Sequence, residues 1–127
     1  RHQSGNRVVV LMRHVKLTFL IGAVLLAQQP DARKPDRTVS ILAERFTYNP
    51  SRINVKQGQL VEFVLESDDT DHGFKIPSAG IDVAIPPSGK GEVRVRFLAR
   101  DKGTFEFECS RACGAGHHLM RGAIIVK

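Results

Sequence analysis

From Thr38 to the C-terminus the chain alternates between apolar and polar positions. Val39, Ile41 and Ala43 are separated by polar or larger neighbours, Ile53 and Val55 precede Gln57-Gly58, and Val61, Phe63 and Leu65 alternate with Glu62 and Glu66. The pattern is clearest at 92–97, where Val93, Val95 and Phe97 share one side and Glu92, Arg94 and Arg96 the other. Phe105 and Phe107 alternate with Thr104, Glu106 and Glu108 after the turn residues Asp101-Lys102-Gly103, and Ala123 to Val126 closes the chain as an apolar run. A period of two is the mark of a strand with one dry and one wet face. Pro77, Gly80, Pro86, Pro87, Gly89 and Gly91 punctuate the connections, where proline and glycine favour turns. Roughly seven short strands with no convincing helix predict an all-β chain, built as a Greek-key β-sandwich of two packed antiparallel sheets.

The N-terminal part is patterned differently. Met12 to Lys16 is a short basic segment, and the eleven residues Leu17 to Ala27 form an apolar run without a polar face, followed by the polar stretch QQPDARKPDR. A cationic start and a short apolar core are the layout of a secretory leader. Eleven residues fall short of the about 20 that span a bilayer. Leu25 and Ala27 offer an imperfect cleavage site, so the segment reads as a signal peptide or an uncleaved anchor. The expected organisation is leader and linker at 1–37, with Pro30 and Pro35 in the linker, and one domain at 38–127. The expected location is extracytoplasmic, in a bacterial periplasm.

The formal net charge of +6 is concentrated in the leader. Residues 1–27 hold four basic residues and no acid, leaving 15 basic against 13 acidic residues in the remainder, a net of +2. That excess is too small to argue for nucleic acid. With 127 residues there is material for one ordinary core. Membrane contact is expected only through the N-terminal segment.

The chemistry is concentrated in Cys109-Ser-Arg-Ala-Cys113-Gly-Ala-Gly-His117-His-Leu-Met120. These twelve residues hold both cysteines, one of the two methionines and two of the five histidines. Cys109 shares the parity of Phe105 and Phe107, which places its sulfur at a strand end, and Gly114 and Gly116 allow the turns that bring Cys113, His117 and Met120 to the same point. Two thiolates, an imidazole and a thioether are soft donors that select copper, zinc or iron-sulfur chemistry. The methionine favours copper, since structural zinc has no use for a thioether. His72, assigned to a loop spanning Ser67 to Gly73, supplies a second imidazole. His72, Cys113, His117 and Met120 make a mononuclear blue-copper set, and Cys109 adds a second sulfur able to bridge two coppers.

Other readings of the same residues are a Cys109–Cys113 disulfide, a structural zinc site, and a catalytic Cys-His pair, which lacks an orienting third group. His118 is expected to be solvent-exposed. Phe74, Ile76, Phe105, Phe107 and Leu119 are expected to form an apolar shell around the site. Arg111 and Arg121 flank it and suggest a weakly basic docking surface for an acidic partner.

His72-Gly73-Phe74, followed by C-x-x-x-C-x-x-x-H-x-x-M, Arg121-Gly122 and an apolar last strand, resembles the CuA cupredoxin domain. That domain is found in cytochrome c oxidase subunit II, especially the short subunit of B-type haem-copper oxidases, and at the C-terminus of nitrous-oxide reductase. The resemblance covers roughly residues 38–127 and implies a cupredoxin-like fold with a two-copper centre. It further implies that Cys109 and Cys113 bridge the coppers, that His72 and Met120 serve one, and that His117 and the backbone carbonyl of Arg111 serve the other. The implied activity is one-electron transfer, with a cytochrome c-like donor or a terminal oxidase as redox partner and no bond-making chemistry of its own. The alternatives are a mononuclear blue-copper protein and a copper carrier that delivers metal to an oxidase. Two features depart from the family pattern. The chain has no Trp, where oxidase subunits generally present one near the copper, and it has no pair of membrane spans.

Overall fold

The alternating segments fold as strands. A computed structural model describes residues 32–127, of which Ala32–Lys127 form one unit. Nine strands follow in order: β1 (Arg37–Glu44), β2 (Thr47–Asn49), β3 (Arg52–Val55), β4 (Leu60–Ser67), β5 (His72–Ile76), β6 (Ile81–Ile85), β7 (Val93–Leu98), β8 (Gly103–Glu108) and β9 (Arg121–Val126). Single 3-10 turns at Pro77–Ala79 and His117–Leu119 are the helical pieces among these residues. The basic segment and the apolar run of the leader lie outside the described residues. Among the described residues no helix is long and apolar enough to cross a membrane.

The strands form two sheets, ordered β2-β1-β4-β7 and β3-β9-β8-β5-β6. The sheets are mixed, which corrects the expectation of purely antiparallel ones. β1 runs parallel to β4 from Arg37↔Val61 to Ala43↔Ser67, and β3 runs parallel to β9 from Arg52↔Ala123 to Val55↔Val126. Alternation fixes which face a residue takes and says nothing about strand direction. A chain that leaves one sheet and returns can re-enter beside an earlier strand in the same sense. The β1 and β3 patterns, with every second residue buried, match the alternation read from the sequence.

The core lies between the sheets. Phe63 of β4 meets Phe74 of β5 across the interface with ring centroids 5.9 Å apart, and Phe74 and Phe107 lie 4.9 Å apart. All three are fully buried, and each such side chain contributes about 1.5–3 kcal/mol by leaving water. On the wet face, Arg94 meets Glu62 at 2.9 Å and Glu92 at 2.8 Å. These exposed pairs add little to stability; they keep the face of β4 and β7 solvated.

One end of this sandwich carries the chemistry. There β8 stops at Glu108, paired with Arg121 at the start of β9, and the Cys109 N–H donates to the Met120 carbonyl at 3.1 Å, extending the ladder by one step. The segment 109–120 is therefore a hairpin loop whose two ends are fixed by sheet hydrogen bonds.

Candidate metal centre

The hairpin loop and β5 meet because Lys75 pairs with Glu108, which sets His72-Gly73-Phe74 against Cys109-Ser110-Arg111. Their approach is close. A Cβ on Gly73 would lie 2.1 Å from Ser110 Oγ and 2.6 Å from the Ser110 nitrogen, so only glycine fits. The Gly73 N–H then points at Cys109 Sγ, 3.3 Å away. The Tyr48 hydroxyl donates to the Gly73 carbonyl at 2.6 Å from inside the core. Burial, and then Cys109 nearby, push the Tyr48 phenol above its ordinary range, so it stays a neutral donor.

The candidate donors gather around Cys113. Its Sγ lies 3.7 Å from Cys109 Sγ, 3.7 Å from His117 Nδ1 and 4.0 Å from Met120 Sδ. The ligand atoms of His72, Cys109 and Cys113 all lie within 4.8 Å of one another. The Arg111 carbonyl is 3.2 Å from Cys109 Sγ, while the Arg111 side chain is exposed. His72, Cys109, Cys113 and Met120 are buried, and His117 is half-buried. All six sequence-predicted site residues thus converge, five through side chains and Arg111 through its carbonyl.

His72 corrects one expectation: it opens β5 and is fully buried, and is not a loop residue. Its Nε2 is held by Asp69 Oδ1 at 2.6 Å, while its Nδ1 is buried with no hydrogen-bond partner. With Nε2–H donating to the carboxylate, the buried Nδ1 is left with a free lone pair, the usual preparation of a metal-binding imidazole. Asp69 is itself fixed by the N–H groups of Arg45 (2.9 Å) and Thr70 (2.8 Å). Partial desolvation works to raise its carboxyl, and the hydrogen bonds from Arg45, His72 and Thr70 outweigh that and hold it below the ordinary range.

Burial pushes the Cys113 thiol up to about 11, and its contact with Cys109 adds to this. Both cysteines are free thiols, so the disulfide reading is not what the structure shows. A protonated buried thiol gains by exchanging its proton for a soft cation.

Among the expected shell residues, Phe74, Ile76 and Phe107 are buried, Phe105 is half-buried and packs on Phe97 with centroids 5.3 Å apart, and Leu119 is 70% exposed. Leu119 is a correction: the turn that brings His117 and Met120 inward leaves the two residues between them, His118 and Leu119, outward. His118 is exposed as expected. Gly114 adopts a positive φ of 143°, whereas Gly116 does not; a Cβ there would lie 2.4 Å from the Phe46 ring. Arg121 is partly engaged, 3.6 Å from Glu108 and bonded to the His118 carbonyl. Asp69, Arg45, Phe46 and Tyr48 were not foreseen.

A family model described as a cupredoxin-like domain matches residues 16–126. The chain belongs to the cupredoxin-like family. This cupredoxin-like chain is 40% identical over 91 residues to cytochrome c oxidase subunit 2 of Thermus thermophilus, a match covering 71% of this chain and 65% of that relative. It is 30% identical over 94 residues to nitrous-oxide reductase of Ralstonia nicotianae, covering 71% of this chain and 14% of the relative. The matched part thus spans under two thirds of either relative's length. In fold, it resembles the periplasmic domain of subunit II of cytochrome oxidase of Bradyrhizobium japonicum, with a TM-score of 0.68 at 19% identity over 75% of this chain and 86% of that one.

Proposed function

We propose that this cupredoxin-like domain binds copper through His72, Cys109, Cys113, His117, Met120 and the Arg111 carbonyl, as a two-copper centre of the CuA type, and carries single electrons. The observation that carries the reading is the convergence of both thiols, 3.7 Å apart, with an imidazole nitrogen and a thioether sulfur around Cys113. The residues fit the metal. The orphaned Nδ1 of His72 lacks a partner that a cation would supply, and the thiol-thioether-imidazole set suits copper better than zinc.

Bound copper would supply a one-electron couple shared through the two thiolates. The residues do the rest. The β8–β9 ladder fixes Cys109 and Met120, and Asp69 fixes the His72 ring, so the donors change position little between oxidation states. The buried phenyl rings of Phe74 and Phe107 keep water from the inner side. His117 and the exposed Leu119 form the outward side, where a redox partner docks. That partner is a cytochrome c-like donor or a terminal oxidase, on the extracytoplasmic side of a bacterial membrane.

The test is copper content and electron spin resonance of the reconstituted full chain. Two coppers per chain and a seven-line hyperfine pattern, from one electron shared between two copper nuclei, support the proposal. One copper with four lines would reduce the site to a mononuclear centre with Cys109 as a bystander, and failure to retain copper would overturn the reading. Reversible voltammetry of the loaded chain separates an electron carrier from a copper carrier, which would instead surrender its metal to a metal-free oxidase domain.

A further inference from the structure

The turn between β1 and β2 supplies none of the donors, yet it touches both arms of the centre. On one side, the Arg45 N–H donates to Asp69 Oδ2 at 2.9 Å, and the other oxygen of that carboxylate holds His72 Nε2. On the other side, the Arg45 side chain reaches a residue 68 positions away: its Nε donates to the Cys113 carbonyl at 2.9 Å. The adjacent Phe46 ring lies directly against the loop backbone. A Cβ on Gly114 would stand 3.0 Å from its Cε1 and Cζ, and one on Gly116 would stand 2.4 Å from its Cδ2. That contact, more than turn geometry, explains why glycine occupies position 116.

We propose that Arg45-Phe46 is a brace that ties the His72 arm to the Cys113–Met120 arm, with Arg45 a positioning residue whose charge also sets the centre's potential. The proposal rests on the copper reading above. The two arms come from distant parts of the chain, and their relative placement decides whether donors from β5 and from the hairpin loop face one metal centre. One residue holds both, by main chain on one side and by side chain on the other. An arginine guanidinium carries a fixed positive charge, and here it lies against the centre, with Nε 2.9 Å from the Cys113 carbonyl. A fixed positive charge beside the centre favours the reduced form, which carries one positive charge fewer. Solvent exposure of Arg45 screens part of this effect.

The test uses Arg45→Met and Arg45→Lys in the full chain, with Asp69→Asn as the second arm. Three quantities are read: amide hydrogen exchange of 113–116 in the metal-free chain, copper release to a chelator, and the reduction potential. Arg45→Met is expected to raise exchange and copper release about tenfold each. It is also expected to shift the redox equilibrium about tenfold toward the oxidised form, which is 59 mV for one electron. Arg45→Lys keeps the charge without the planar Nε donor, so it recovers the potential more than the release rate. Arg45→Met and Asp69→Asn act on opposite ends of one brace, so their effects on copper release should be non-additive.

Exchange and release at wild-type values in Arg45→Met would overturn the brace, whatever the melting temperature does. A wild-type potential would overturn the role of the charge. If the unaltered chain takes up no copper, the copper reading fails by itself; the brace is then judged on hydrogen exchange in the metal-free chain, where unchanged protection of 113–116 overturns it.

Discussion

Gly73→Ala tests the closest approach in the centre. The added Cβ would sit 2.1 Å from Ser110 Oγ, 2.6 Å from the Ser110 nitrogen and 3.0 Å from the Arg111 nitrogen. The hydroxyl can rotate, at the cost of its 2.6 Å bond to Asp82 Oδ1, but the nitrogens belong to the hairpin backbone and move only if the loop moves. Bringing the Ser110 nitrogen to ordinary contact requires a retreat of about 0.8 Å or more. That shift stretches the contact of the Gly73 N–H with Cys109 Sγ and separates His72 from the thiols. Forcing a methyl into packed backbone costs about 1–3 kcal/mol. At about 4–8 °C per kcal/mol for a domain of this size, a loss of about 2 kcal/mol lowers the melting temperature by roughly 8–16 °C. Copper retention should fall further than global stability, because the strain falls between β5 and the ligand hairpin. Scanning calorimetry of the metal-free chain and copper release to a chelator measure the two effects. Adding Ser110→Ala removes only the rotatable hydroxyl and leaves the backbone nitrogens in place, so it should restore little. A Gly73→Ala chain that melts and holds copper like the parent would refute the close packing of β5 on 109–111.

Two further perturbations probe the same end of the sandwich. Tyr48→Phe keeps the ring contacts with Phe107 and Phe74 but deprives the buried Gly73 carbonyl of its 2.6 Å donor; chemical denaturation should show a loss of about 1–3 kcal/mol, and an unchanged midpoint would place that hydroxyl outside the stabilising network. In the metal-free chain the thiols, 3.7 Å apart, need to approach by only about 1.7 Å to reach disulfide bonding distance. Diamide should therefore consume both thiols and abolish copper uptake, dithiothreitol should restore it, and an oxidised chain that still loads copper would exclude the paired thiols as donors.

How much of this centre can be read from the sequence depends on how local each part is. Cys109 to Met120 is one hairpin loop, and its spacing carries its chemistry without knowledge of the fold, so the convergence of its candidate donors is legible. His72 is legible as a candidate donor and not as a strand residue, because Asp68, Asp69, Thr70 and Asp71 give its approach the composition of a solvated loop. The strand begins at His72 itself, and its first three residues, histidine, glycine and phenylalanine, are all buried, which leaves no alternation to read. β2, with three residues, is likewise below the reach of any periodic pattern. The parallel pairings of β1 with β4 and β3 with β9 leave no trace in alternation, which records faces and not directions.

The supporting residues are the least legible, for a physical reason that also explains their importance. Asp69 lies three residues before His72, a spacing that suits a turn hydrogen bond, so a signal existed there. Arg45 has none: its side-chain partner is the carbonyl of Cys113, and a main-chain oxygen places no constraint on residue type at the far end. The complementary imprint is on the glycines, since Gly73, Gly114 and Gly116 each occupy a point where another segment presses against backbone. A cysteine or histidine announces what it binds, whereas a glycine at such a contact records only that something is close. The proposed donor set therefore follows from composition and spacing, while the forces that hold those residues in place follow from long-range packing onto bare backbone. Substitutions at the glycines and at Arg45 should accordingly separate copper retention from copper identity: they change how firmly the metal is held without changing which atoms hold it.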